Sequence, residues 1–369
     1  HGKNSEITEM RRSTGNSQRR MRGLNYHVCI RHLRVDETLV QDISNDRRYP
    51  TIAGTRVSSA DELLTQRPVH KGYYHAPLTL QLSNYPDFDS SDHYEFQWAD
   101  SQNGYPVEVD IYQKLDPGTL YNIYLGLDIG STSTKAMMMG SDQAVLAGFY
   151  TRTAARPVEA IQNIFAAIAD MAGKKAVSLN VIGAGTTGSG RKFAGKIMGA
   201  DLIVDEITAH ARAACQLNPQ VDTIIEIGGQ DSKFTTLKNG AVTFSIMNTV
   251  CAAGTGSFIE EQAHKLGCAL DEFSNRTENH KSPLVSDRCT VFMERDTNHY
   301  LTEGYTVNEV LASVLHAVRE NYLTKVAIEN NIGNTILFQG ATAKNKALVA
   351  AFEQRLKKPI HVSRYCHLT

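Results

Sequence analysis

The chain has 369 residues, a formal net charge of −1, 41% hydrophobic residues and six cysteines. The balanced charge excludes a global pull toward nucleic acid or a membrane surface, no apolar run reaches the roughly 18–20 residues that span a bilayer, and cysteines at 29, 215, 251, 268, 289 and 366 are too sparse for a disulfide scaffold. No signal-peptide pattern opens the chain, whose His1-Gly2 start reads as trimmed or engineered, so a cytoplasmic protein of roughly two to three domains is expected.

The first 120 residues are polar and irregular. A basic run from Arg11 to Arg22 reads as a solvated arm. His27, Cys29 and His32 fit no standard metal spacing. An aromatic stretch at Gly72-Tyr-Tyr-His75 and an acidic one at Tyr85-Pro-Asp-Phe-Asp89 carry no assignable chemistry. Alternating Val107, Val109 and Ile111 predict a strand, and Pro117-Gly118 a turn.

From about residue 121 the pattern is α/β. An apolar strand, Ile123 to Leu127, ends at Asp128. After a polar turn, Ala136–Met139 and Val145–Tyr150 continue as an antiparallel meander. Pro157 opens a helix whose apolar residues Val158, Ile161, Phe165, Ile168 and Ala172 recur at helical spacing. A strand with Val177, Leu179 and Val181 then ends in a glycine-rich turn containing Gly188. The plan repeats: a strand at Thr223–Ile227, a polar turn, Phe234–Leu237, an Asn239-Gly240 hairpin, Val242–Met247, and a glycine-punctuated helix start containing Gly254 and Gly256. A long amphipathic helix is expected from Asn308 to Glu329, then a last strand at Thr335–Phe338 and a helix to Lys357.

Within this duplication two segments align position for position: Asp128-Ile-Gly-Ser-Thr-Ser-Thr-Lys135 and Glu226-Ile-Gly-Gly-Gln-Asp-Ser-Lys233. Each places an acid, Ile and Gly at the end of a strand, then small polar residues and a lysine. Such a turn offers N–H groups and hydroxyls to an anion while the acid orients a cation. Gly130, Ser131, Thr132, Ser133 and Lys135 of the first, with Gly228 and Gly229 of the second, are therefore candidate phosphate contacts. Asp128 and Asp231 would hold Mg²⁺ through water, and Gln230 would position an attacking water. The turn after the last strand, with Gly340, Ala341, Lys344 and Asn345, would admit a purine and ribose. Clamps alone leave a sugar or small-molecule kinase, with Asp231 catalytic, and a non-catalytic nucleotide-gated module open beside an ATPase. Cys251 and Cys289 stand apart: a thiolate cluster needs four ligands, and two per chain suffice only if a twofold axis supplies two more.

The paired clamps and the Gly-x-x-x-Lys-Asn turn resemble the actin, sugar-kinase and heat-shock-chaperone ATPase superfamily. Asn248-Thr-Val-Cys-Ala-Ala-Gly-Thr-Gly-Ser-Phe258 and Cys289-Thr-Val-Phe292 resemble the ATPase activators of 2-hydroxyacyl-CoA dehydratases and benzoyl-CoA reductases. The resemblance implies a duplicated ribonuclease H-like fold of two lobes, 121–205 and 206–369, after an accessory region over 1–120. It implies ATP or ADP with Mg²⁺, and a homodimer holding one four-iron–four-sulfur cluster through Cys251 and Cys289. It also implies a reduced ferredoxin or flavodoxin as donor, and a dehydratase or reductase component as acceptor. Three departures are visible. Residues 1–120 have no counterpart in compact activators, and the segment around Val107–Leu125 resembles the linker before a second ATPase domain in long fused homologues. Gln339-Gly340 stands where two glycines are usual. The sequence stops at His367-Leu-Thr369, ahead of the helix expected to complete the first lobe.

Overall fold

A computed structural model describes residues 71–101, 104–248 and 252–368. The basic run, His27, Cys29, His32 and Cys251 lie outside the described residues. Residues 71–369 form one unit.

Two sheets organise this unit. Strands β1 (Asp92–Phe96), β2 (Val107–Ile111), β3 (Leu120–Ile129), β4 (Ser133–Gly140), β5 (Val145–Arg152), β6 (Ser178–Thr187) and β7 (Leu202–Ile203) form a seven-stranded sheet in the order β1-β2-β5-β4-β3-β6-β7. Strands β8 (Thr223–Ile227), β9 (Ser232–Lys238), β10 (Ala241–Met247), β11 (Ile336–Gln339) and β12 (Ile360–Val362) form a second, in the order β10-β9-β8-β11-β12. The run β5-β4-β3-β6-β7 has the same connectivity as the whole second sheet. In both, an antiparallel meander is extended by a parallel strand returning beside its first member. This is the duplicated α/β architecture expected from the repeated strand–turn–strand pattern.

Local chemistry accounts for the elements. Helix α1 (Pro157–Lys175) opens on a proline, whose missing N–H costs nothing in a first turn, and ends at Ala176 in the left-handed conformation. Its Ile161, Ile164, Ala167 and Met171 pack under the first sheet. Helix α2 (Arg191–Met198) joins β6 to β7. Helix α3 (Glu206–Leu217) is capped by Asp205, whose carboxylate accepts the Thr208 N–H at 3.0 Å. Ala211 and Ala214 of α3 cover Ile224, Leu237 and Leu337 on one face of the second sheet. Helices α4 (Gly256–Lys265), α5 (Leu270–Thr277), α6 (Thr290–Thr302), α7 (Val307–Lys325) and α8 (Lys346–Leu356) complete that lobe. Covered on both faces, β8 and β11 are buried throughout, whereas β3 alternates and leaves Leu120 and Tyr124 exposed. Among the described residues no helix is long and apolar enough to cross a membrane.

Three boundaries differ from the sequence expectation. The amphipathic helix ends at Lys325, not Glu329, and its start is a capping box: Thr306 accepts from the Glu309 N–H while Glu309 accepts from the Thr306 N–H. The strand near 335–338 is followed by β12, too short at three residues to announce itself. Residues 71–111, polar as a group, are fastened to both lobes. Strand β2 pairs with β5 and so widens the first sheet. The strap at 71–85 lies on the second lobe, where Glu353 accepts the Gln81 and Ser83 N–H groups at 2.6 and 2.7 Å. Leu78 of the strap is 0% exposed and belongs to the main core cluster. Leu78→Ala should therefore lower the unfolding free energy by about 2–5 kcal/mol, read by urea titration. A loss near zero would mean that the strap does not contribute to the core.

Candidate nucleotide site

Each jaw is a hairpin with an acid and a lysine opposed across it. Asp128 on β3 sits in register with Lys135 on β4, and their charged atoms are 3.2 Å apart. Glu226 on β8 sits in register with Lys233 on β9, at 2.8 Å. The turns between them close with the same hydrogen bond, Gly130 N–H to the Ser133 carbonyl at 3.0 Å and Gly228 N–H to the Asp231 carbonyl at 2.8 Å. A side chain on either glycine would press on that carbonyl oxygen.

The pairs are electrostatically tight. Burial raises the Asp128 carboxyl, but Lys135, with His210 and Lys233 behind it, outweighs burial and holds it below its ordinary value. Burial pulls the Lys135 and Lys233 ammonium groups down, and Asp128 and Glu226 respectively more than compensate, so both lysines are raised. Asp128, Lys135 and Lys233 are thus ionised at neutral pH.

A second glycine backs each acid. Gly188, at φ +84°, follows β6, and a Cβ there would collide with the Asp128 carboxylate and the Ile129 carbonyl. Gly340, at φ +97°, follows β11, and a Cβ there would collide with the Ile227 carbonyl. Both positions exclude side chains on conformation and on space.

The jaws meet. Ser131 donates its hydroxyl to Gln230 Oε1 at 2.7 Å, and Gly229 lies against Thr132. Arg152 of β5 pairs with Glu260 of α4, a second link between lobes. Asp231 is exposed at the rim. At the base lies a cavity of about 230 Å³, lined by Asp128, Lys135, Thr187, His210 and Leu368 among others. Buried polar atoms without a protein partner are Thr187 Oγ1 on a residue lining this cavity, Thr132 Oγ1 on the residue facing Gly229, and Gln339 Nε2 on the residue meeting His210. Such groups ask for an acceptor- and donor-rich ligand.

Further predicted residues lie on the second lobe. Gly256 N–H and Ser257 N–H bond the Gly228 and Gly229 carbonyls, each at 2.8 Å, so α4 begins on the jaw itself. Gly254 packs against Asn321 of α7. Ala341 and Lys344 bound a single 3₁₀ turn after Gly340. Asn345 caps α8 by accepting the Leu348 N–H at 3.0 Å, and the Lys344 ammonium lies 5.9 Å above the Phe88 ring. Cys289, half-buried, is the N-cap residue of α6, well separated in the chain from the jaws. Among the described residues no three His, Cys, Asp or Glu side chains gather as a ready-made metal site.

A further group escapes the sequence reading. His210 of α3 stands 3.2 Å from Glu226 and 3.3 Å from Gln339, bridging the ends of β8 and β11. Glu226 and Lys233 stand in the second aligned segment as the positional equivalents of Asp128 and Lys135. His210 had no motif to mark it.

The sequence model of the BadF/BadG/BcrA/BcrD ATPase family matches residues 125–368, a span that holds both jaws and both glycine turns. The chain belongs to this family. Within it, the chain is 31% identical over 244 residues to the activator of lactoyl-CoA dehydratase of Anaerotignum propionicum, covering 65% of this chain and 90% of that protein. An uncharacterised protein of Methanocaldococcus jannaschii is 31% identical over 253 residues, and there the match spans 67% of this chain but only 60% of the relative. Among solved structures, the activator of the 2-hydroxyisocaproyl-CoA dehydratase from Clostridium difficile, with bound ADPNP, superposes with a TM-score of 0.58 at 25% identity, over 67% of this chain and 90% of that one. The BadF/BadG/BcrA/BcrD match begins after β2, so the strap and the two added strands lie outside it.

Lys135→Met tests the electrostatics of the first jaw. It removes the cation that outweighs burial, leaving Asp128 as a poorly compensated buried carboxylate. In the wild type the lowered Asp128 value contributes stability above the ordinary carboxylate range, lost as pH falls through the folded-state value. The variant should lose up to about 3 kcal/mol at neutral pH, and the deficit should shrink in acid as Asp128 takes a proton. Urea unfolding at both pH values reads this, and an equal deficit at both would contradict it.

Proposed function

We propose that the chain binds Mg-ATP between its jaws and hydrolyses it to drive low-potential electron transfer to a 2-hydroxyacyl-CoA dehydratase-like or benzoyl-CoA reductase-like component. The carrying observation is the attachment of α4 to the second jaw. The Gly228 and Gly229 carbonyls hold the N–H groups of Gly256 and Ser257, five and six residues beyond Cys251 in the sequence. A movement of the jaw that grips the phosphates is therefore passed directly to the segment that follows this cysteine.

The residues divide the work. A phosphate entering between the jaws takes the place of the Ser131–Gln230 hydrogen bond and meets the turn N–H groups after Gly130 and Gly228, with the Ser131 and Thr132 hydroxyls beside them. Lys135 stays ionised against Asp128 and adds positive charge to the first jaw. Asp128 and Asp231 would hold Mg²⁺ through water. Gln230, freed from Ser131, orients the attacking water. Gly340 and Ala341 leave room for the adenosine.

Cys251 and Cys289 of two copies would hold a four-iron–four-sulfur cluster. Cys289 suits the role: it is half-buried at the N-terminal end of α6, and Val291 and Phe292 beside it are 70% and 43% exposed. Two thiols per chain complete four ligands only across a twofold axis, so the functional unit is a homodimer. When bound, the cluster supplies the single electron that the acceptor receives. A reduced ferredoxin or flavodoxin is the donor, and the whole exchange belongs in the cytoplasm.

Anaerobic purification followed by iron and sulfide analysis should find about four irons per two chains, and Cys251→Ser or Cys289→Ser should abolish them. Iron absent from intact protein would overturn the electron-transfer reading. Gln230→Ala should lower ATP turnover on the order of a hundredfold with little change in nucleotide affinity. Unchanged turnover would remove Gln230 from the chemistry.

A further inference from the structure

We propose a second ligand site, for the oxyanion of a small soluble molecule, on the second lobe between the strap and helices α7 and α8. A cavity of about 740 Å³ opens there, with Tyr74 and His75 of the strap on one side and His316, Arg319, Arg355 and Lys357 on the other. It shares no lining residue with the cavity beside the first jaw. One wall is built from residues that precede the family-matched span.

Donor accounting identifies the ligand. The guanidinium of Arg319 can only donate. Its Nη1 lies 2.9 Å from His316 Nδ1, so Nδ1 is the acceptor and the neutral imidazole carries its proton on Nε2. That Nε2–H is buried and finds no acceptor, and neither does Arg319 Nε–H. His316 and Arg319 are 1% and 4% exposed, so water does not relieve them freely. Both orphan donors thus sit on adjacent turns of α7, on residues that line one wall of the pocket.

The charges agree with the donors. His75 stacks on His316 at 3.9 Å between ring centres, with the planes 12° apart. Burial lowers His75 to about 4 and His316 to about 2, so both rings are neutral at physiological pH. Arg319, Arg355 and Lys357 supply the positive charge. Glu320, the single carboxylate among the lining residues, is already engaged by Arg319 Nη2 at 2.7 Å and Arg355 Nε at 3.4 Å. Arg355 is also held by both oxygens of Glu329, at 2.7 and 3.1 Å, so one net positive charge is left on the wall while the orphan donors still want acceptors. A phosphate or carboxylate group provides them, and a guanidinium edge beside an imidazole N–H matches its paired oxygens.

The strap is held firmly enough to act as a wall. Lys71 pairs with Glu309 at 3.0 Å, Gln354 donates to the Pro77 carbonyl at 2.6 Å, and His75 bridges to Ser282 in short antiparallel pairing.

The test is calorimetric titration of the full chain with inorganic phosphate and, separately, with succinate. A non-hydrolysable ATP analogue is kept saturating, so that the jaws are filled. One saturable oxyanion site per chain is expected, and the tighter of the two probes identifies its chemistry. Lys357→Glu, at an exposed position, should weaken binding about tenfold or more, as for one lost charge-assisted contact. Arg319→Lys should weaken it further. No saturable binding of either probe, or binding indifferent to both substitutions, would overturn the site. The site does not depend on the nucleotide reading: if the analogue itself fails to bind, that reading falls, and the two variants still decide this one.

Discussion

Each jaw depends on an acid and a lysine placed directly opposite one another across a hairpin. Asp128 with Lys135, and Glu226 with Lys233, are register partners on neighbouring antiparallel strands. The charges neutralise one another at the strand ends, where burial alone would penalise each. With that pairing set, the intervening turn has little freedom. It closes on a glycine N–H and exposes Ser131 on one side and Gln230 on the other. Gly188 and Gly340 then have to lie flat behind the strand ends, because the acid or its neighbour's carbonyl already fills the space a Cβ would need.

The second jaw carries more connections than the first. Its carbonyls start α4, its acid is shared between Lys233 and His210, and Thr342 donates to the Ile227 carbonyl at 2.7 Å. Tyr322 of α7 donates to the Lys233 carbonyl at 2.6 Å from the other side. Helix α3, which leads from one sheet into the other, reaches the ends of β8 and β11 through His210. A shift of this jaw is therefore felt at once by α3, α4 and α7, whereas the first jaw rests mainly on its own sheet. That asymmetry suits a machine in which one lobe holds and the other reports.

The jaws and the Asn239-Gly240 turn were legible because their chemistry is local. An acid–Ile–Gly strand end recurring in the same context needs no distant partner to be read, and both turn residues adopt positive φ, as a two-residue hairpin demands. Helices α2 and α3 were not legible: α2 is eight residues long, and α3 buries little besides two alanines, which carry almost no periodic signal. Strand β12 is defined by its pairing with β11, and the strap by partners hundreds of residues away, as when Glu353 holds Gln81. Polar composition over 71–91 concealed Leu78, whose burial no local pattern announces. Gln339, visible only as a departure from a glycine, proves to be a buried side chain meeting His210.

The central claim is that both jaws grip one nucleotide. Amide hydrogen exchange, with and without a non-hydrolysable ATP analogue, tests it most directly, because the backbone N–H groups themselves are the proposed ligands. The turns at 130–133 and 228–231 should gain protection together, at the same nucleotide concentration and with one nucleotide bound per chain. Protection confined to one turn, or two turns responding at different concentrations, would contradict it.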